Sequence, residues 1–247
     1  KKKIVVLKKR VDTDPQGSAH KGLLGLYEKT LRRFKTFVLI VTMLPLYMLG
    51  VGLIALCATP GISLFQYTLD MSQTMTGFTR NFAFGVAMAS GYFMFGFALI
   101  FAVPLVNFIL RTTPKIFRGP YYSVNFLKWF IHNALTYLVR YTVLEFITPT
   151  PLNLLFYKMM GMKIGAGTQI NTSNISDPAL IELGRNVTIG GSATLCAHYG
   201  QGGYLILAKV KIADNVTVGL KASIMGGVEI EEGAKILPHS VVLPKTK

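Results

Sequence analysis

The stretch Ile206-Leu-Ala-Lys-Val-Lys, Ile212-Ala-Asp-Asn-Val-Thr, Val218-Gly-Leu-Lys-Ala-Ser, Ile224-Met-Gly-Gly-Val-Glu, Ile230-Glu-Glu-Gly-Ala-Lys places an aliphatic residue at every sixth position, continuing through Ile236 to Val242. Small or β-branched residues stand four places later, at Val210, Val216, Ala222, Val228, Ala234 and Ser240. A period of six fits neither an α-helix, at 3.6, nor an amphipathic strand, at 2. It fits a β-solenoid in which each hexad forms one flat side and three hexads complete a triangular turn. Stacked aliphatic side chains fill the narrow interior, and small residues fit beside them near the corners.

On these copies the chain resembles the hexapeptide-repeat acyltransferases. The resemblance implies a left-handed parallel β-helix. The hand comes from the resemblance alone, because parallel crossovers are in general right-handed.

Working outward, the repeat is broken twice. Ile164 and Ile170 are one hexad apart, Asn171 to Leu180 departs from the pattern, and Leu183, Ile189 and Leu195 resume it. Cys196 to Tyr204, containing His198-Tyr-Gly-Gln-Gly-Gly203, interrupts it again. Interruptions in a solenoid map to loops, often on the functional face. Residues 161–247 therefore form the solenoid domain, with four to five turns between 164 and 242.

The rest of the chain is of another kind. Hydrophobic residues make up 51% and charged residues only 15%, against roughly 25% charged in a soluble domain. This predicts a membrane α-helical domain at residues 37–160, ahead of the β-helix. Phe37 to Ala58 and Phe82 to Leu110 are uncharged and long enough to span, the first ending at Thr59-Pro-Gly61. Ala83, Ala87 and Gly91 form a small-residue stripe suited to helix contact. Residues 125–147 read as a helix lying in the interface, with Lys128, His132, Thr136 and Arg140 on one face, towards water or the solenoid. Residues 152–160 read as a short apolar helix leading into the coils.

The net charge of +15 is concentrated in a basic arm, residues 1–36. Within it Ile4 to Leu7 reads as a short strand, Asp12 to Gly22 as loop and Gly25 to Lys35 as an amphipathic surface helix. The arm is too basic and too long for a typical signal peptide. Basic residues flank the outer ends of the two spans and are nearly absent between them. The positive-inside rule then puts both ends, and the β-helix, on the cytoplasmic side of the cell (inner) membrane, in a multi-pass arrangement. Such charge contacts anionic membrane lipid. No aromatic stacking motif or recognition helix accompanies it, so no nucleic-acid partner is expected.

For chemistry, the acyltransferase resemblance implies transfer of an acyl group, acetyl first, from a thioester to a hydroxyl or amine. A base must take the acceptor's proton, and histidine suits this with an ordinary pKa of about 6.5. His198, in the second interruption, is the choice for catalysis. Asp177 or Glu182 is placed to orient its imidazole. Asn171, Asn174, Asp177, Tyr199 and Gln201 are the substrate contacts expected from the irregular segments. Lys209 and Lys221, with Lys211 and Lys235, occupy variable repeat positions and suit donor phosphates. His239 reads as a capping residue of the last coil, and His132 as an interfacial one.

The donor is then an acyl-CoA or carrier-protein thioester, with no tightly bound cofactor. A zinc site like that of the γ-class carbonic anhydrases needs three or four ligands. Only two histidines lie in the repeats, so no metal is expected. The resemblance further implies a homo-oligomer, a trimer in soluble members, and an acceptor that is lipid-linked or close to the membrane.

Residues from about 150 to 245 also resemble the membrane region of the ε-poly-lysine-synthetase-like nonribosomal peptide synthetases. The matching pieces are Leu154-Leu-Phe-Tyr-Lys-Met-Met-Gly161-Met-Lys-Ile-Gly165, Ile170 to Asp177, Leu183-Gly184 to Leu195 with Ala197-His198, and Lys211 to Gly219. That likeness leaves an amide-bond-forming module as an alternative. A non-enzymatic, membrane-anchored assembly scaffold is the other.

Overall fold

The computed structural model describes Ser18 and residues 20–244. The strand expected at Ile4 to Leu7 lies outside the described residues. Among the described residues, six α-helices are followed or interleaved by fifteen short strands. Helix α1 (Gly22–Phe34) carries exposed Leu23 and Leu26 on one side. Its other side buries Glu28, which accepts a hydrogen bond from the Val124 amide at 2.9 Å.

Helices α2 (Thr36–Met71) and α3 (Gly77–Leu110) form an antiparallel pair. Both are long and apolar enough to cross a membrane. The expected stop at Thr59-Pro-Gly61 is absent: α2 runs on through Pro60 to Met71. A proline removes one backbone bond, which a packed apolar helix tolerates. Gly61 also rewards continuation. A Cβ built on it would meet the Gly91 Cα at 2.8 Å, so the two backbones touch where a side chain would hold them apart. α3 likewise begins five residues earlier than Phe82, at Gly77.

After β1 (Phe117–Pro120), helix α4 (Val124–Val139) starts on Ser123, whose hydroxyl accepts from the Phe126 amide. A π-helical turn, Arg140–Leu144, leads into α5 (Glu145–Ile147). The wider turn sets Arg140 and Glu145 on one face. There Arg140 bonds Asn174 and Glu145 bonds Ser173. His132 and Thr136 are fully buried. The polar stripe therefore turns inward from His132 to Arg140, while Lys128 at its start stays exposed. Helix α6 (Pro151–Met159) closes the first coil, with Phe156 and Tyr157 fully buried against it.

The solenoid strands are β2 (Lys163–Ile164), β3 (Gln169–Ile170), β4 (Ile175–Ser176), β5 (Ile181–Leu183), β6 (Thr188–Ile189) and β7 (Thr194–Cys196). A hairpin, β8 (His198–Gln201) and β9 (Tyr204–Leu207), intervenes. The coil resumes with β10 (Val210–Ile212), β11 (Thr217–Val218), β12 (Ser223–Met225), β13 (Glu229–Ile230), β14 (Lys235–Ile236) and β15 (Val241–Val242). Three parallel four-stranded sheets result, in the orders β13-β10-β5-β2, β14-β11-β6-β3 and β15-β12-β7-β4. This is a four-turn, three-sided coil, and the parallel sheets fit a left-handed β-helix. Each register aligns the aliphatic columns, such as Ile170 with Ile189 and Ile189 with Val218.

The corners follow a rule the hexads conceal. At two of the three corners the third residue after the inward aliphatic turns with positive φ, Gly167, Asn186, Asn215 and Gly233 in one column and Ser192, Lys221 and His239 in another, with Ser173 of the first coil the exception. Asn186 donates to Asn215 at 3.3 Å. A Cβ on Gly167 would meet the Asn186 side-chain oxygen at 2.3 Å, so a larger residue at that corner would have to displace the Asn186 amide. His239 is thus a corner residue.

Ile189 is fully buried in the central column. Ile189→Ala is expected to cost about 2–5 kcal/mol, read as a lower denaturant midpoint. Leu220→Ala, at a position 49% exposed, should change it by less than about 0.5 kcal/mol.

Candidate active site

Coil-to-coil spacing locates the site. Ile212 to Ile230 is 18 residues, one turn, whereas Leu183 to Ile212 is 29. The additional residues form the β8–β9 hairpin, turned at Gly202 and Gly203, both with positive φ. Its base is closed by the Ala208 amide donating to the Ala197 carbonyl at 2.9 Å. Ile206, which opens the hexad series in sequence, lies on β9 and pairs antiparallel with Tyr199 and Arg118. The six-residue spacing there is a coincidence of a period-2 strand, and the coil restarts at Val210. The earlier irregular segment proves to be a true side, since β4 stacks on β7.

These two departures meet. Asp177, just after β4, has φ 60 and opens a 3-10 turn, Pro178–Leu180. Its side chain is 0% exposed and accepts two hydrogen bonds. His198 Nδ1 lies 2.6 Å from Oδ2, and Trp129 Nε1 donates to Oδ1 at 2.6 Å. A buried carboxylate requires such partners to stay charged. The Trp129 ring also stands edge-on to the imidazole, with centroids 4.8 Å apart. Helix α4 thereby holds the pair formed by two coils.

Because Nδ1 faces the carboxylate, it carries the proton, and Nε2 is the free nitrogen of the neutral ring. Among the described residues the one polar contact of Nε2 is with the Cys196 Sγ, at 3.7 Å. The His198 side chain is 22% exposed, which keeps it reachable. Burial alone would lower its pKa. The Asp177 hydrogen bond, with a further contribution from Cys196, outweighs that and raises it from 6.5 to about 10.

Other expected site residues fall elsewhere. Glu182 bonds Lys209 at 2.6 Å and Lys163 at 3.2 Å, which hold its carboxyl below the usual range, and so takes no part beside His198. Lys209 is correspondingly paired, while Lys221 is an exposed corner residue. Tyr199 and Gln201 alternate with His198 along β8, so they project from the opposite face. Asn174 is held by Arg140. Asn171 borders a separate cavity beside α6.

Three neighbours carried no signal in their own sequence context. Trp129 reaches Asp177 across 48 residues of chain. Cys196 sits against the imidazole. Tyr121 lies over Gly200, where a Cβ would meet its hydroxyl at 2.1 Å. Asp177, Cys196 and His198 are also close enough together to be weighed as a metal site. The 2.6 Å between carboxylate oxygen and Nδ1 fits a hydrogen bond. It is too short for two ligands about a tetrahedral zinc.

No protein-family model matches the chain. Over 142 residues it is 30% identical to "Putative acetyltransferase YvoF" of Bacillus subtilis (strain 168), covering 52% of this chain and 80% of that protein. Over 80 residues it is 34% identical to the bifunctional protein GlmU of Marinomonas sp. (strain MWYL1), covering 32% of this chain and 16% of that one. A hexapeptide-repeat-containing acetyltransferase from Vibrio cholerae O1 biovar eltor, solved with acetyl coenzyme A, aligns over 55% of this chain and 87% of its own, at 15% identity and a TM-score of 0.39. The serine acetyltransferase of Neisseria gonorrhoeae, solved with serine, aligns over 74% and 76%, at 16% identity and a TM-score of 0.29.

Proposed function

The chain belongs to the hexapeptide-repeat acetyltransferases, and from that premise we propose that it is a membrane-anchored enzyme moving an acetyl group from acetyl-CoA to a hydroxyl or amine at the cytoplasmic membrane face. The observation that carries this reading is the fully buried Asp177 carboxylate bonded to His198 Nδ1, with the imidazole still part-exposed and Nε2 meeting only the Cys196 Sγ at 3.7 Å among polar groups of the described residues. Once His198 has given up the proton that Asp177 favours on it, Nε2 takes the acceptor's proton as the acceptor oxygen or nitrogen attacks the thioester carbonyl carbon. Asp177 stabilises the imidazolium so formed. The tetrahedral intermediate expels the thiolate as the carbon–sulfur bond breaks, and the imidazolium returns its proton to that sulfur. The histidine ends as it began.

Helices α2 and α3 serve as the anchor in this reading, and the exposed leucines of α1 rest on the same surface. Lys221 meets donor phosphate, with Lys209 available once phosphate competes for it against Glu182. A trimer remains the expected assembly. A bare scaffold would have no use for a carboxylate placed beyond the reach of water and aimed at a histidine, which favours catalysis.

The test uses the purified full chain in detergent, radiolabelled acetyl-CoA and a membrane extract. Label should move into the extract with release of free thiol. Absence of transfer from acetyl-CoA would contradict the proposal, and transfer only from a carrier-protein thioester would favour the amide-forming alternative.

Trp129 is a positioning residue here. Trp129→Phe keeps a ring on His198 and removes the N–H to Asp177. A hydrogen bond to a charged group contributes about 1.5–3 kcal/mol, so kcat should fall about tenfold or more. The KM for acetyl-CoA should hold.

A further inference from the structure

We propose that the cavity between the end of α3 and the start of α4 binds the phosphate of a membrane amphiphile, and that this amphiphile presents the acceptor group to His198. The second half rests on the acetyl-transfer reading above; the binding site does not.

The cavity has a volume of about 900 Å³. Arg111, Lys115 and Lys128 line it, and no Asp or Glu does. None of the three has an ion-pair partner among the described residues. Three unneutralised cations converging on one cavity call for an anion, and a phosphate accepts from several donors at once.

The opposite wall is apolar and belongs to the anchor. Phe108 and Ile109, in the last turn of α3, are 78% and 64% exposed. A soluble phosphate has no use for that wall. A phosphate carrying a hydrocarbon chain fits both, head group on the cations and chain along a helix long enough to span a bilayer. Arg111 directly follows Leu110, so the cations stand at the boundary of the apolar segment.

The cavity also leads to the catalytic pair. Leu207 lines it and is aligned with Phe117 on one side and His198 on the other, in the sheet order β1-β9-β8. Directly opposed residues of antiparallel strands share a face. With strands about 4.8 Å apart, His198 lies roughly 10 Å from Phe117 on the same face. Lys128 lines the cavity, and its neighbour Trp129 packs on the imidazole. A hydroxyl or amine about eight bonds beyond the phosphate, the reach of a head group of glycerol or sugar size, spans a distance of that order.

Trp129 is the one tryptophan of the chain, so its fluorescence reports on the site. The full chain in non-ionic detergent is titrated with dioctanoyl phosphatidic acid, dioctanoyl phosphatidylcholine, inorganic phosphate and coenzyme A. Phosphatidic acid should bind saturably, and at least tenfold more tightly than phosphatidylcholine or inorganic phosphate. A basic residue near an anionic surface contributes about fivefold. The triple variant Arg111→Gln, Lys115→Gln, Lys128→Gln should therefore bind phosphatidic acid about 100-fold more weakly, with coenzyme A affinity unchanged. Should the triple variant fail to fold, Lys115→Gln alone should show about a fivefold loss.

Equal affinity for phosphatidylcholine, equal affinity for inorganic phosphate, or unaltered phosphatidic acid binding by the variants would each overturn the site. The two readings fail separately. Binding as expected with no acetyl transfer from acetyl-CoA leaves the site standing and removes the enzymatic reading. Transfer into the membrane extract with unchanged KM in the triple variant removes the acceptor site and leaves the enzyme.

Discussion

His198→Ala should lower kcat for acetyl transfer by about 10²–10⁴, the range in which a positioned base contributes. The KM for acetyl-CoA should change little. The reason lies in the site's economy of groups: Nε2 of His198 is free, and Asp177 already accepts two hydrogen bonds. The substitution leaves a buried carboxylate with one partner fewer, which carries its own cost. Trp129 still donates to it, and the vacated space lets water reach the other oxygen. His198→Gln provides the control, because it keeps a donor for Asp177 without supplying a base. Both variants should retain the wild-type circular dichroism and elution profile. Activity within tenfold of wild type in a folded His198→Ala protein would contradict the assignment.

Asp177→Asn should be nearly as damaging, by about 10⁴ in kcat, for a reason specific to this geometry. Trp129 Nε1–H must meet an acceptor, so the amide oxygen takes the Oδ1 position. The amide NH2 then faces His198 Nδ1. Two donors cannot share that contact, and the ring shifts its proton to Nε2, the nitrogen required as base. The variant also reports on stability. His198 is raised from 6.5 to about 10 in the folded chain. Its stabilising contribution is therefore fully present below pH 6.5 and lost as pH rises through about 10. The stability deficit of Asp177→Asn should be greatest between pH 5 and 6 and should shrink towards pH 10, as followed by denaturant midpoints across that range.

The solenoid was legible because its period of six has no competing explanation from Ile212 to Val242. The hexad at Ile206 was misleading. Tyr204-Leu-Ile-Leu207 is a hairpin strand, and its partner β1 lies far upstream in the chain. The stop read at Pro60 was wrong for a similar reason, since contact with Gly91 is decided by α3. At the site, the interrupted repeat pointed to His198, and the acidic residues near the first irregular segment were two. Sequence had no means of choosing Asp177 over Glu182, because the choice depends on β4 stacking on β7. Trp129 carries no cue in its own stretch of sequence, since it meets Asp177 across 48 residues of chain. Its role appears when α4 lies against the first coil through Tyr137 and Ser176 as well.

The most direct test of the Asp177–His198 pair as the proton acceptor is the pH dependence of kcat/KM for acetyl transfer, from pH 6 to 10. A base held protonated by Asp177 must lose its proton first. The rate should therefore rise about tenfold per pH unit through neutrality, with its acid limb bending well above pH 6.5 and towards 10. In Asp177→Asn the residual activity should bend at or below 6.5, because burial then acts without the carboxylate to oppose it. A wild-type limb at or below 6.5, or one that Asp177→Asn leaves in place, would contradict the account.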